Sequence, residues 1–401
     1  MKKLLSLALV AAMTMSLLAG CAGSGNADNT DTNAATEDAN TTGAAGETFK
    51  IGGIGPITGG AAVYGIAVKN GAELAIKEIN EAGGINGYQI EYNFQDDELD
   101  NEKSVNAYNS LKDWGMNMLV GAVTSGCCIA VAAETQNDNM FQITPSGSSV
   151  DCINGNENVF QVCFTDPNQG VGAAQYIGEN NVASKVAIIY DSSDVYSSGI
   201  YAKFVEEAAN QNFEIVSTES FTADNKTDFS VQLAKAQEAD ADLVFLPIYY
   251  TEASLILKQA DSMGYTPKFF GCDGLDGILG VENFDASLAE GVMLLTPFAA
   301  DAEDDATKSF VSTYEAAYGD TPNQFAADAY DAVYVIKAAA EKSGVTPADG
   351  VSGICDKMKA AMTEITVDGL TGAGMSWAAD GTVNKAPKAM EIKNGAYSLI
   401  Q

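Results

Sequence analysis

The chain has 401 residues, 54 of them acidic against 21 basic, for a formal net charge of −33. So negative a surface argues against nucleic acid or an anionic surface as partner. Histidine is absent, which excludes Ser-His-Asp and Cys-His catalysis and the usual imidazole-liganded zinc sites, and leaves open only an enzyme built on carboxylates.

The first 20 residues are expected to be a targeting segment. Lys2 and Lys3 form a positive start, and the apolar run over 4–18 is too short to span a bilayer comfortably. Leu18-Ala19-Gly20-Cys21 resembles the lipobox of bacterial lipoproteins, which implies a lipid on Cys21 and work on the outer face of the cytoplasmic membrane. Residues 21–48 are expected to be a tether. Within them, 22–47 contain no Leu, Ile, Val or aromatic side chain and cannot bury enough apolar surface to offset ordering entropy.

From 49 onward, strand and helix patterns alternate. Residues 49–55 read as a strand followed by Pro56 and the 58–60 turn; Gly53 and Gly55 lack the third glycine of a dinucleotide fingerprint. Val68, Gly71, Ala72, Ala75, Ile76 and Ile79 fall at helical spacing, ended by Asn80 to Gly84. A strand over 88–94 and a helix over 102–114 lead to the stretch 121–148. There the buried strand 118–123 breaks into Thr124, Ser125 and Gly126. After a helix of small apolar residues, a second short strand (140–144) ends in Ser146, Gly147 and Ser148. Ligands in open parallel sheets sit outside the carboxyl ends of strands, near free helix N–H groups. Two neighbouring hydroxyl-rich strand ends therefore suit a small anion such as a carboxylate, although each alone also reads as an ordinary N-cap.

The rhythm then restarts. A strand at 160–165 and a helix at 169–179 precede a strand at 185–190. A polar loop (191–198) holds Tyr196, and a helix over 198–209 follows. A strand at 214–217, a helix at 229–238 and a strand at 243–248 lead to Tyr249 and Tyr250, then a helix at 252–263. Phe269-Phe270 runs into Gly271-Cys272-Asp273-Gly274, and a strand at 291–296 precedes two long helices at 306–318 and 325–342. The tail reads as short strands and turns. Alternation of this kind specifies an α/β protein with parallel sheets covered by helices. Two successive series predict two lobes with a cleft between them: 49–166 with 297–367, and 167–296 with 368–401, the chain crossing near Asp166, Thr296 and Val367. With Cys21 set aside, six cysteines remain. The Cys152–Cys163 spacing suits a loop staple, and connectivity stays open.

Several segments together, in this order and spacing, resemble the substrate-binding proteins of branched-chain amino acid ABC transporters, the type I periplasmic-binding fold. They are IGGIGPITGGAAVYG (51–65), AIKEINEAGGINGYQIE (75–91), FQDDELD (94–100), TPSGS (144–148), FTDPNQG (164–170), GCDGLDG (271–277), FAADAYDAV (325–333) and LTG (370–372). The resemblance implies a two-lobed, non-catalytic receptor without metal or cofactor, monomeric, that delivers an amino acid to a permease. Ser125 then matches the hydroxyl that binds the ligand carboxylate, with Ser146, Gly147 and Ser148 sharing the task. Asp273 matches the acid that pairs with the ammonium, and Tyr64, Tyr196 and Tyr249 match aromatic positions around the ligand. Two departures stand out: Gly126-Cys127-Cys128 replaces the family's serine run, and 94–100 carries no cysteine to complete the family's disulfide. Other small ligands, such as amides or aromatic acids, remain the alternative, ahead of a carboxylate-based enzyme.

Overall fold

A computed structural model describes residues 46–400; the targeting segment, Cys21 and nearly all of the tether lie outside the described residues. Two open sheets organise the body. The first is wholly parallel, with β1 (Thr48–Gly55) flanked by β2 (Gln89–Asp96) and β3 (Met118–Gly121), then β4 (Phe141–Thr144) and β5 (Val159–Gln161). Every residue of β3 and β4 is buried, as expected of central strands covered on both faces. The intervening helices are α1 (Ala62–Glu81), α2 (Asn101–Trp114) and α3 (Ser125–Asp138). Asp100 caps α2 by accepting the Lys103 N–H, and Asn139 closes α3 in the left-handed conformation.

The chain then enters α4 (Asp166–Glu179) and builds the second sheet. Its parallel part runs from β7 (Glu214–Phe221) through β6 (Lys185–Asp191), β8 (Leu243–Leu246) and β9 (Lys268–Gly271) to β10 (Met293–Thr296). The covering helices include α5 (Val195–Ala208), α6 (Ser230–Glu238) and α7 (Tyr250–Ser262). After β10 the chain returns to the first sheet with α8 (Asp305–Tyr318), α9 (Gln324–Ser343) and α10 (Gly350–Met362), which pack on α1, β3 and β4. It crosses once more to add β11 (Lys388–Lys393) and β12 (Ala396–Leu399) antiparallel at the edge of the second sheet. Their hairpin turns at Asn394 and Gly395, both with positive φ, the combination a type I′ turn demands.

The elements differ from the sequence expectation in three places that bear on function. Tyr196 sits in the first turn of α5 rather than in a loop, because α5 begins at Val195. Strand β8 stops at Leu246, leaving Pro247 to Tyr249 as the lead into α7, with Tyr249 at its N-cap. A third return helix, α10, was not expected: Gly350 and Gly353 obscure it, and the Thr346/Asp349 capping box marks the short 3-10 turn Pro347–Asp349 that leads into it. Close packing of the return helices depends on Gly71, where a Cβ would lie 2.1 Å from the Ala326 carbonyl oxygen. That approach sets Phe325, next to Ala326 on α9, against Tyr64 of α1, with ring centroids 4.3 Å apart.

Candidate functional site

The first-sheet wall of the site is made by two loops tied together by their own side chains. The Thr144 hydroxyl donates to the Ala122 carbonyl (2.8 Å) and accepts the Gly147 N–H (2.7 Å). Ser146 donates to the Val123 carbonyl (2.7 Å), and the Ser149 N–H donates to Ser125 Oγ (3.1 Å). Gln161 of β5 braces the loop from behind by donating to the Gly147 and Ser149 carbonyls (2.7 and 3.0 Å). Thr124 stands between these loops as the N-cap of α3, its carbonyl accepting the Cys128 N–H (2.8 Å). Its own hydroxyl, beside the Cys127 thiol, is buried without an oxygen or nitrogen partner, the residue being 5 % exposed. The first N–H groups of a helix lack partners within it and carry the positive end of its dipole. This wall therefore presents hydroxyls and N–H groups to an anion. The chain has no arginine, all its basic residues being lysines, so a carboxylate held here is held by such neutral donors.

The opposite wall comes from the end of β9. Asp273 is 4 % exposed and accepts the Tyr196 hydroxyl at 2.6 Å. Its N–H donates to Gln169 Oε1 (3.1 Å), and its carbonyl accepts Gln324 Nε2 (2.9 Å). Burial pushes its carboxyl up to about 7, against the pull of the Tyr196 and Gln169 hydrogen bonds. Tyr196 also accepts the Gly274 N–H (2.9 Å), so one phenol orders the whole turn.

Aromatic rings close the space between the walls. The Tyr64 hydroxyl donates to the Gly274 carbonyl, and Tyr64 packs edge-on to Tyr249 and Tyr250 at 5.6 and 4.8 Å. Tyr196 stacks on Tyr249 at 5.0 Å. The lobes are joined further by Thr251 donating to the Gly60 carbonyl (2.6 Å) and the Val63 N–H donating to the Tyr250 hydroxyl (3.1 Å). What remains between the closed walls is a small cavity of about 10 Å³ lined by Tyr64, Val123, Thr124, Ser125, Ser146, Tyr196, Tyr249, Asp273, Gly274 and Phe325. Thr124 and Tyr249 separate it from an outer chamber of about 500 Å³, where Asp100, Glu102, Asp191, Asp194 and Glu252 outnumber Lys226.

Six of the eight expected site residues thus line one cavity: Tyr64, Ser125, Ser146, Tyr196, Tyr249 and Asp273. Gly147 and Ser148 do not. Gly147 is drawn onto Thr144, and Ser148 is fully buried beside the Asp166 carboxyl, which burial pushes well above its ordinary range. Thr124 and Phe325 were not singled out by sequence reasoning. Thr124 adjoins Ser125 at the hydroxyl-rich strand end, and Phe325 opens the FAADAYDAV segment. A second buried network anchors the last crossing: Lys385 donates to Asp328 (2.7 Å) and to Thr371, whose hydroxyl donates to Asp331 (2.6 Å). Cys163 lies near this network, where burial and the Asp328 charge push its thiol up, and all six described cysteines are free thiols.

The profile of the periplasmic binding protein family matches residues 48–396. The chain belongs to that family. Among its relatives, a Leu/Ile/Val-binding protein homolog of Brucella melitensis is 32% identical over 303 residues, 74% of this chain and 79% of the relative. A leucine-, isoleucine-, valine-, threonine- and alanine-binding protein of Pseudomonas aeruginosa is 29% identical over 75% of this chain and 80% of its own length. In structure, this periplasmic binding protein is similar to the branched-chain amino acid transporter substrate-binding protein LivJ of Streptococcus pneumoniae, solved with isoleucine. The TM-score is 0.80 at 32% identity, covering 88% of this chain and 98% of LivJ. A solute-binding protein from R. palustris in complex with benzoate shares the fold at a TM-score of 0.78 and 20% identity. The fold is thus the type I periplasmic-binding architecture, and the family places the protein outside the cytoplasm.

Proposed function

We propose that this protein captures an amino acid, preferably one with a branched aliphatic side chain, between its lobes and delivers it to the permease of an ABC importer. The observation that carries the reading is the juxtaposition of Asp273 with the Thr124/Ser125 end of α3 across one small aromatic cavity. A zwitterion needs donors at one end, an anion at the other and shelter from water between them. The aromatic lining suits an aliphatic side chain, as do the branched-chain ligands named for the relatives. The lobes are taken as 49–166 with 297–367 and 167–296 with 368–401, held as a monomer on the membrane by lipid at Cys21 after removal of 1–20. A bare aromatic acid, the ligand type of the R. palustris neighbour, would leave Asp273 buried without a cation. A thermal-shift screen of amino acids, amides and benzoates tests the reading, since a ligand of the folded state raises its unfolding temperature. Stabilisation by leucine, isoleucine or valine supports it, and stabilisation by benzoate alone overturns it. Fatty-acid labelling that survives Cys21→Ala would remove the anchor.

A further inference from the structure

Four cysteines fall between 127 and 163, and they face different ways. Cys127 faces Asp97, Thr124 and Ser104. Cys163 faces Asp328 and Lys385. Cys128, next along α3, turns under the Ser146–Ser148 loop: a Cβ on Gly147 would lie 2.8 Å from Cys128 Cβ and 3.0 Å from its sulfur. Gln142 donates to Cys128 Sγ at 3.6 Å. Cys152, at the end of the short helix Val150–Cys152, packs on the same face of α3, its thiol donating to the Ser125 carbonyl at 3.7 Å. Both sulfurs are fully buried in one apolar cluster. Cys152 Sγ thus reaches the first turn of α3, three residues ahead of Cys128, and the two cysteines share one apolar cluster to which Cys163 does not belong.

We propose that Cys128 and Cys152 form a disulfide in the protein as it works outside the cytoplasm, where oxidising conditions permit one. The bond joins the two loops that carry Thr124, Ser125 and Ser146, reinforcing the Ser125–Ser149 hydrogen bond across the same gap. A low-molecular-weight disulfide is the oxidant. One cysteine thiolate attacks its S–S bond and expels a first small thiol; the second cysteine thiolate attacks the mixed disulfide and expels another. One S–S bond is exchanged for another, the cysteines are oxidised, and the two cysteine protons leave on the two small thiols. Because both sulfurs are buried, the bond forms while the loops are closing during folding and is shielded from reductant thereafter.

The test refolds the full chain from denaturant in mixed oxidised and reduced glutathione, alkylates remaining thiols, and maps peptides without reduction after cleavage at glutamate. Cuts after Glu134 and Glu157 place Cys127 and Cys128, Cys152, and Cys163 on three separate peptides. The expected product links the first two, persists in Cys127→Ser and is lost in Cys128→Ser. Alkylated Cys152 in the refolded parent, a link through Cys163, or a link that survives Cys128→Ser overturns the proposal. The parent map stands by itself should a variant fail to fold.

Discussion

The two walls of the cavity are built by opposite means. The first-sheet wall is distributed: Thr124, Ser125 and the N-terminus of α3 each offer part of an anion site, and its loops are tied by four hydrogen bonds among Thr144, Ser146, Ser125 and their neighbours. The second-sheet wall concentrates its charge in one carboxyl, Asp273, held by Tyr196, Gln169 and Gln324. A distributed site loses function in fractions, whereas a single charge is all or nothing. Substitutions on the two walls should therefore differ in size and in their effect on stability.

The largest effect is expected from Asp273→Ala. Removing one partner of a buried ion pair costs about 3–5 kcal/mol, so calorimetric titration with the best amino acid from the screen should show binding weaker by roughly a hundred- to several-thousandfold. The empty protein should stay folded, relief of a carboxyl that burial disfavours offsetting the lost Tyr196 hydrogen bond. Binding as tight as the parent's would place the ammonium elsewhere. On the opposite wall, Thr124→Val and Ser125→Ala each remove one hydrogen bond to a charged group, about 1.5–3 kcal/mol. They should separate in thermal unfolding. Ser125→Ala also loses the Ser149 N–H bond and lowers the unfolding temperature, while Thr124→Val fills the place of a hydroxyl with no oxygen or nitrogen partner and leaves it unchanged or higher. Equal stability losses in the two would break the contrast between a tied and a free hydroxyl.

The distinction between those two hydroxyls marks how far the sequence reaches. The hydroxyl-rich ends of β3 and β4, the acid after β9 and the alternation that builds both sheets were legible, because each is a local pattern with a local cause. Which hydroxyl stays free was not, since that depends on Ser149, 24 residues on, spending its N–H on Ser125. Ser148 reads like Ser146 in sequence, yet it packs beside Asp166 because the chain turns into α4 there. Phe325 reaches the cavity only because α9 returns from the other lobe and Gly71 lets it close on α1. Lys385 reads as a surface lysine, and its burial against Asp328 spans 57 residues of chain.

The next effect tests the concentrated charge through pH. In the empty protein Asp273 titrates at about 7, and an ammonium partner requires it ionised. Binding therefore releases a proton below pH 7, and affinity should fall by about tenfold per pH unit as the solution is acidified from 7. It should be flat above. Calorimetry in buffers of different ionisation enthalpy reads the proton directly, and a pH-independent affinity from 5.5 to 7.5 would show that no buried acid faces the ligand. Stability runs the other way. Asp97, Asp194 and Asp276 are each raised by burial to about 6. With Asp273, they make the folded state hold more protons than the unfolded chain between about 4 and 7. The ligand-free unfolding temperature should therefore fall as pH rises through that window, and the fall should be smaller with ligand bound, because Asp273 has then already lost its proton.

The smallest expected effect separates the cavity from the chamber outside it. Thr124 and Tyr249 divide the two spaces, and an amino acid held between Asp273 and α3 has its charged groups inside. Glu102 stands exposed on the rim of the outer chamber, where water and salt screen its field. An exposed carboxylate contributes about 0–1 kcal/mol to an interaction, so Glu102→Gln should change Kd by less than about fivefold. The association rate should shift slightly at low salt and not at high salt. A tenfold or larger change in Kd, persisting at high salt, would mean that the ligand extends past Tyr249 and that its distal group meets the acidic chamber. The solute would then be longer and more polar than a branched-chain amino acid, while Asp273→Ala would still be expected to abolish the grip on its ammonium.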